Sequence, residues 1–243
     1  MRLSVLLAVA VVAFASMASA APIFPTCIAG GTMASYVALG QSPDPVAAGI
    51  GCVIGDKLFS NFAYTPSNGG NGPAVPASAV FLTPVDVGSH DPGITFSSNS
   101  WSVSGGASEP SFYDGSITFW VNVLPGGALI EDATLTMGSD SRVTGGGQAT
   151  IGEFILAGDG FTELGGMQVD ARGSHVDHLV FAPTNAIQVA KNFFIGVDQD
   201  VTGTARVYSF TQNFSEVPEP VGAILIGSGL LALGAWRRRG SRG

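Results

Sequence analysis

The 243-residue chain carries ten basic and 18 acidic residues, for a net charge of −8, and only 12% of its residues are charged. An acidic surface repels phosphate backbones, so the charge argues against nucleic acid as a partner. The composition is rich in glycine and poor in the lysine, glutamate and leucine that long helices need, which disfavours an all-α fold.

The N-terminal segment, residues 1–20, has the three parts of a secretory signal peptide. Arg2 supplies a positive start, an apolar run follows, and an A-x-A site closes the segment. We therefore predict a signal helix, passage through the Sec translocon, and cleavage between Ala20 and Ala21. A buried N-terminal helix is the alternative interpretation.

Cys27 and Cys52 are the two cysteines of the chain. An even pair in an exported protein predicts a disulfide bond, here closing a loop of about 25 residues worth about 3 kcal/mol in the chain-entropy model. Two separate buried thiols are the alternative. A metal site is disfavoured because the C-x-x-C spacing is missing.

The body, residues 21–216, consists of alternating runs broken by Gly-, Pro- and Asn-rich turns. In the clearest run, apolar Ile117, Phe119, Val121 and Val123 alternate with Thr118, Trp120 and Asn122. This pattern predicts an all-β fold, an antiparallel β-sandwich of jelly-roll-like kind in a single domain, with a barrel as the second option. The run "TARVYSFTQNF" is predicted as one strand, and residues 66–78 as an exposed loop.

Two patterns in the body carry ligand types that metals use. His175 and His178 would share a helical face suited to zinc, but the apolar residues after them predict a strand, which splits the pair. Asp198 and Asp200, two residues apart, are weak calcium candidates, although the EF-hand loop is missing and a turn-stabilising role is favoured. We therefore predict no metal and no cofactor.

Catalytic motifs such as G-x-S-x-G and H-E-x-x-H are missing from the sequence, which predicts that the protein is not an enzyme. A glycan hydrolase with two cooperating carboxylates stays open, with four glutamates available: Glu109, Glu131, Glu153 and Glu163. Four aromatic residues offer a sugar-stacking surface, with core packing as the favoured alternative: Trp101, Phe112, Tyr113 and Trp120.

The last segment, residues 217–243, combines three features in order. A short motif precedes an apolar run over 221–236, which as a helix would be about 24 Å long, short of the ~30 Å hydrocarbon core. We predict a transmembrane helix there, with the arginine cluster on the cytoplasmic side. The motif is Val217, Pro218, Glu219 and Pro220, and the cluster is Arg237, Arg238 and Arg239.

This tail resembles the PEP-CTERM sorting signal of bacterial exported proteins. It departs mildly from that pattern, with Val221-Gly222 where Ser-Thr is common and with residues 240–243 after the arginines. The resemblance implies processing by an exosortase, a membrane-embedded cysteine transpeptidase that would recognise Pro218-Glu219-Pro220 and remove the span. Three stretches of the body, 27–40, 51–64 and 189–216, also resemble such proteins, whose bodies have no established catalytic residues.

Together these features predict an exported surface or extracellular-matrix protein that is structural or adhesive. It would be held transiently in the inner membrane and then delivered to the cell surface or released, with exopolysaccharide or other surface proteins as partners. The first alternative is a calcium-supported carbohydrate-binding protein, and the second is an extracellular glycan hydrolase.

Overall fold

The structure, a computed structural model, describes residues 23–69, 74–85, 91–106 and 110–217. The predicted signal helix with its cleavage site, and the sorting signal from Pro218 onward with its apolar span and arginines, lie outside the described residues. Within the described ranges, no helix has both the length and the apolar character needed to cross a bilayer.

Strands dominate the described chain, and helix is limited to short turns. The helices are α1 (Met33–Val37), α2 (Pro45–Ala48) and a 3-10 turn (Ala77–Ala79). The strands are β1 (Gly31–Thr32), β2 (Cys52–Ile54), β3 (Lys57–Gly69), β4 (Phe81–Val85), β5 (Gly93–Ser97), β6 (Ser102–Gly105), β7 (Ser111–Val123), β8 (Leu129–Met137), β9 (Arg142–Gly145), β10 (Gly147–Ala157), β11 (Glu163–Asp170), β12 (Val176–Thr184), β13 (Ala186–Val197), β14 (Gly203–Arg206) and β15 (Ser209–Val217).

These strands form two large sheets and one small one. The front sheet has the order β11-β10-β13-β7-β3-β2, and the back sheet has the order β1-β4-β5-β15-β8-β12. A side sheet joins β6, β14 and β9. Every pairing between these strands is antiparallel, which confirms the predicted all-β antiparallel fold.

The core lies between the front and back sheets, as the alternation in β7 predicts. Ile117, Phe119 and Val121 are fully buried, while Thr118 and Trp120 keep part of their surface exposed on the other side of the strand. Aromatic rings connect the two sheets, with the ring centroids of Phe119 (front) and Phe96 (back) 5.8 Å apart. The sheets therefore pack as a β-sandwich.

The disulfide between Cys27 and Cys52 is confirmed, with a Cα–Cα distance of 4.8 Å. It ties the N-terminal segment to β2, at one edge of the front sheet. Backbone hydrogen bonds reinforce this tie, since Cys27 N–H donates to the Val53 carbonyl and Val53 N–H donates to the Pro25 carbonyl.

The prediction of one strand over "TARVYSFTQNF" is wrong, because the chain changes sheet within it. Ala205 in the side-sheet strand β14 is buried, and Phe210, Gln212 and Phe214 are the buried residues of β15 in the back sheet, so the inward positions change from odd to even numbers. The guanidinium of Arg206 lies over the Tyr208 ring, 3.4 Å from its centroid, at this crossing.

The predicted loop over residues 66–78 is also partly wrong. β3 continues through Pro66 to Gly69, because its partner strand β7 is equally long and pairs with it over this stretch. Val75 is buried rather than exposed, and its carbonyl accepts a hydrogen bond of 2.9 Å from the Tyr64 hydroxyl. The chain after β3 therefore folds back onto the sandwich.

Candidate functional site: an outer cleft and two buried lysine clusters

An open cleft of about 630 Å³ lies on the outer face of the front sheet. Its floor comes from three neighbouring strands: Ala63 on β3, Thr118 and Trp120 on β7, and Gln188 on β13. The antiparallel register places Trp120 directly opposite Gln188, and Thr118 opposite Ala63. These side chains share one face because they occupy alternate positions of paired strands.

The first wall of the cleft is the loop of residues 41–43, which a bulge in β3 holds in place. The register between β3 and β7 shifts between Ser60 and Ala63, and Asn61 within the bulge has a positive φ of 53°. The Asn61 amide donates to the Ser42 carbonyl at 2.7 Å and accepts from the Ser42 N–H at 2.8 Å. Asn61 therefore positions this wall.

The second wall is the turn after β10, where Asp159 lies. Its carboxylate accepts hydrogen bonds from the Thr162 hydroxyl at 2.6 Å and from the N–H groups of Thr162 and Phe161 at 2.9 Å. These bonds, above all the one from the Thr162 hydroxyl, lower the pKa of Asp159 to about 2. The next residue, Gly160, has a φ of 74°, and a Cβ there would lie 3.0 Å from Gln188 Oε1.

The cleft combines one flat aromatic surface with several hydrogen-bonding groups. Trp120 provides the ring, while Gln41, Asn61 and Gln188 carry amides. Asp159 is the one charged side chain among the described residues that line the cleft. An apolar ring beside a few polar groups suits a small polar ligand that has an apolar face.

Of the four aromatic residues predicted to stack on sugars, Trp120 alone lines this cleft. Trp101 is fully buried in the core, where its ring lies 5.4 Å from that of Phe210, and Tyr113 is buried as well. Phe112 lies 5.8 Å from Phe194 and does not line the cleft. Trp101 and Tyr113 therefore pack in the core, as the favoured alternative predicts.

The calcium candidates lie away from the cleft. Asp198 and Asp200 are in the turn after β13, and Gln148 donates a hydrogen bond of 3.2 Å to Asp198. Gln188 precedes Asp198 by ten residues along an extended strand, a separation of about 30 Å. In the part of the chain that the structure describes, no three His, Cys, Asp or Glu residues are grouped so that they could hold a metal ion.

The His175–His178 pair is split, as the strand interpretation predicts. His175 Nε2 lies 3.4 Å from the Ala171 carbonyl, and His178 Nε2 lies 3.5 Å from the Asp132 carboxylate. The carboxylate between the histidines, that of Asp177, accepts from the Gln168 N–H at 2.8 Å. The three side chains therefore make separate contacts, on or next to β12, the edge strand of the back sheet.

The glutamates of the hydrolase alternative are dispersed. Glu153 is buried in the core, Glu131 is half-buried, Glu163 is exposed, and Glu109 lies outside the described residues. None of the first three lines the cleft, where Asp159 supplies the single carboxylate of the described lining.

Both lysines of the chain, Lys57 and Lys191, are buried, a feature that the sequence interpretation missed. Lys57 Nζ lies 2.5 Å from both Asp56 and Glu216. Burial raises the pKa of Glu216, whereas the pKa of Asp56 is lowered because its hydrogen bonds and the charge of Lys57 together outweigh its burial. This cluster joins the start of β3 to the end of β15.

Lys191 lies deeper, between the two sheets. Its Nζ contacts the carboxylate of Glu153, directly opposite on β10, and lies 2.5 Å from Oε1 of Gln212 on β15 of the back sheet. The Phe210 ring centroid is 5.8 Å away. Burial lowers the pKa of Lys191 well below its ordinary value. A sequence signal exists, since Lys191 falls on the inward face of β13 between Val189 and Phe193.

Comparisons with known proteins leave the family open. No family model matches the chain, and no curated protein matches it. One solved structure with a similarity is that of TmCBM61 in complex with β-1,4-galactotriose, at 11% identity and a TM-score of 0.28, covering 64% of this chain and 88% of that one. At this score the similarity carries no argument about the present chain.

Proposed function

We propose that the chain is an exported adhesive protein that binds a neutral glycan in the cleft around Trp120. The observation that carries the proposal is the Trp120 ring on the floor of a cleft of about 630 Å³, with the amides of Gln41 and Gln188 in the same lining. The protein acts by binding and not by catalysis, and its sandwich is of the jelly-roll-like kind that the sequence predicts.

The chemistry of a sugar ring matches this arrangement. A pyranose has an apolar face of C–H groups, which stacks on an aromatic ring, and a rim of hydroxyls, which exchange hydrogen bonds with amides. Gln188 and Gln41 provide such amides beside Trp120. The floor lies on paired strands, so little order has to be gained on binding.

The ionised carboxylate of Asp159 sets the charge preference. Its lowered pKa of about 2 keeps a negative charge at the cleft at every physiological pH. An anionic sugar such as a uronic acid would be repelled, whereas a neutral or amino sugar would not. We therefore favour a neutral ligand over an acidic one.

The two rival functions lack support from the described residues. Calcium-supported binding needs Asp198 and Asp200 beside the aromatic surface, but they lie about 30 Å along the strand from Gln188. A glycan hydrolase needs two carboxylates about 5–9.5 Å apart in a cleft, and the described lining contributes Asp159 alone.

The export part of the proposal comes from the sequence, with the signal peptide at residues 1–20 and the sorting motif Pro218-Glu219-Pro220. The disulfide Cys27–Cys52 supports it, because such bonds persist in oxidising compartments. In a host with an intact exosortase we expect a protein that has lost its tail. Full-length protein remaining in the inner membrane would refute the sorting step.

The binding part is tested with a panel of neutral, amino and uronic-acid oligosaccharides by isothermal titration calorimetry. We expect a neutral ligand to bind and Trp120→Ala to weaken it about tenfold, since stacking contributes about 0.5–1.5 kcal/mol beyond the apolar area that it buries. Phe81→Ala is the matched control, because Phe81 is 42% exposed on β4 of the back sheet. Equal affinity of Trp120→Ala and the parent would contradict the proposal.

A further inference from the structure

The Lys191 cluster brings three reactive groups together away from water. Lys191, Glu153 and Gln212 are exposed to 1%, 2% and 0%, and they supply an amine, a carboxylate and a carboxamide. Lys191 Nζ donates to both Glu153 Oε2 and Gln212 Oε1. An amine is thus held against a carboxamide carbonyl, with a carboxylate on the same nitrogen.

The Glu153 carboxylate can also accept further hydrogen bonds. The second oxygen of Glu153, Oε1, is buried and has no hydrogen-bond partner among the described residues. A buried carboxylate oxygen without a partner is costly to keep in a folded protein, so its presence requires a physical reason. A role in moving protons between the neighbouring groups provides one.

We propose that Lys191 and Gln212 react to form an intramolecular isopeptide bond, with Glu153 as the proton-transfer group. The neutral Nζ of Lys191 attacks Cδ of Gln212, and a nitrogen–carbon bond forms. Glu153 accepts a proton from Nζ and passes it to the Gln212 amide nitrogen. The bond from Cδ to Nε2 then breaks and ammonia leaves, so one amide replaces another with no oxidant or co-reactant.

The surroundings supply what this reaction needs. Burial lowers the pKa of Lys191, which favours the neutral amine that can act as a nucleophile. The fold holds the groups in contact, and well-oriented intramolecular reactions reach effective concentrations of about 10⁵ M or more. The release of ammonia from the core makes the step irreversible in dilute solution.

The acceptor is Gln212 and not Glu153, for a chemical reason. The carbon of an ionised carboxylate is a poor electrophile, whereas the carbon of a neutral carboxamide is a better one. The second lysine shows the contrast, since Lys57 contacts the carboxylates of Asp56 and Glu216 and no carboxamide is among the partners described for it. Lys57 is therefore expected to remain a free amine.

The bond would connect the two sheets covalently. Lys191 is on β13 of the front sheet, and Gln212 is on β15, the strand that ends at Val217, the first residue of the sorting motif. A pull on the C-terminal end of the body would reach the cross-link five residues upstream of Val217. The chemistry itself is independent of the proposed glycan binding.

Mass spectrometry of the exported protein, after removal of the signal peptide and the tail, tests the inference. We expect the intact protein to be lighter by one molecule of ammonia than the mass calculated for its processed sequence with the Cys27–Cys52 disulfide formed. A tryptic map should show the peptide that contains Lys191 joined to the one that contains Gln212, with no cleavage after Lys191. Lys191→Arg should restore the full mass, and Glu153→Gln should leave most of the protein unreacted.

Two control variants show whether the cross-link depends on this cluster alone. Lys57→Arg and Trp120→Ala should both keep the cross-link, so a failure of glycan binding leaves the result intact. Parent protein with its full mass and two separate peptides would overturn the inference. A loss of water that joins Lys191 to Glu153 would also overturn it. The parent protein decides the question even if a variant fails to fold.

Discussion

The two faces of the front sheet use the same strands for different purposes. On β13, the inward residues Val189 and Lys191 are buried in the core, where Lys191 meets the carboxylate of Glu153. On the outward face, Gln188 lies in the cleft and Asn192 is exposed. Because side chains alternate along a strand, residues that stabilise the core and residues that line the cleft occupy adjacent positions in the sequence. Substitutions on the two faces should therefore have separable effects.

The largest effect is expected from Lys191→Met, which removes a buried amine from the inward face of β13. It removes the nitrogen that contacts the Glu153 carboxylate and leaves that charge buried without a partner, so we expect the free energy of unfolding to fall by about 3–5 kcal/mol. Urea unfolding measures this, and Lys191→Met/Glu153→Leu should recover part of the loss because no charge stays buried. If Lys191→Met were as stable as the parent, the cluster would contribute nothing to the free energy of unfolding.

A loss of about 3 kcal/mol is expected when Cys27 and Cys52 are both replaced by alanine, because the unfolded chain regains the freedom of a loop of about 25 residues. The disulfide lies at one edge of the front sheet and outside the cleft lining. Glycan affinity should therefore be unchanged. Weaker binding by the folded variant would show that the two faces are not separable in this region.

On the outward face, Gln188→Ala should weaken glycan binding by a few fold, since one neutral hydrogen bond contributes about 1 kcal/mol. The free energy of unfolding should change by less than about 0.5 kcal/mol. Asn192→Ala is the matched control, because Asn192 is exposed on the same strand and face but does not line the cleft. Equal losses of affinity in both variants would refute the location of the site.

The smallest effect concerns pH. The pKa of Asp159 is lowered to about 2, so its stabilising contribution is present above the unfolded value of about 3.9 and is lost as the pH falls through about 2. Affinity for a neutral glycan should therefore be constant between about pH 4 and about pH 8. Calorimetric titrations across this range check it, and a sigmoidal dependence with a midpoint inside the range would contradict the assignment.

The sequence predicts those features that depend on local patterns. The alternation in β7 identifies Phe119 as inward and Trp120 as outward, and the predicted signal peptide leads to the prediction of the Cys27–Cys52 disulfide. The first follows from the alternation of side chains along a strand, and the second follows from the persistence of disulfides in oxidising compartments. A strand boundary such as that between Arg206 and Ser209 leaves no such trace, because the residues on both sides alternate.

The cleft and the lysine clusters could not be predicted in the same way. The cleft requires the pairing of β3, β7 and β13 and the bulge at Asn61, which are contacts between residues far apart in sequence. The inward position of Lys191 could be read from the alternation between Val189 and Phe193. Its partner Gln212 could not, because it is on a different sheet.

The most direct test of glycan binding follows the indole N–H signals of Trp120 and Trp101 by NMR during titration with the neutral oligosaccharide. Trp101 is fully buried in the core and serves as an internal reference within the same molecule. We predict that the Trp120 signal shifts until it saturates, while the Trp101 signal stays in place. Saturable binding that leaves the Trp120 signal unchanged would contradict the proposal that the cleft is the binding site.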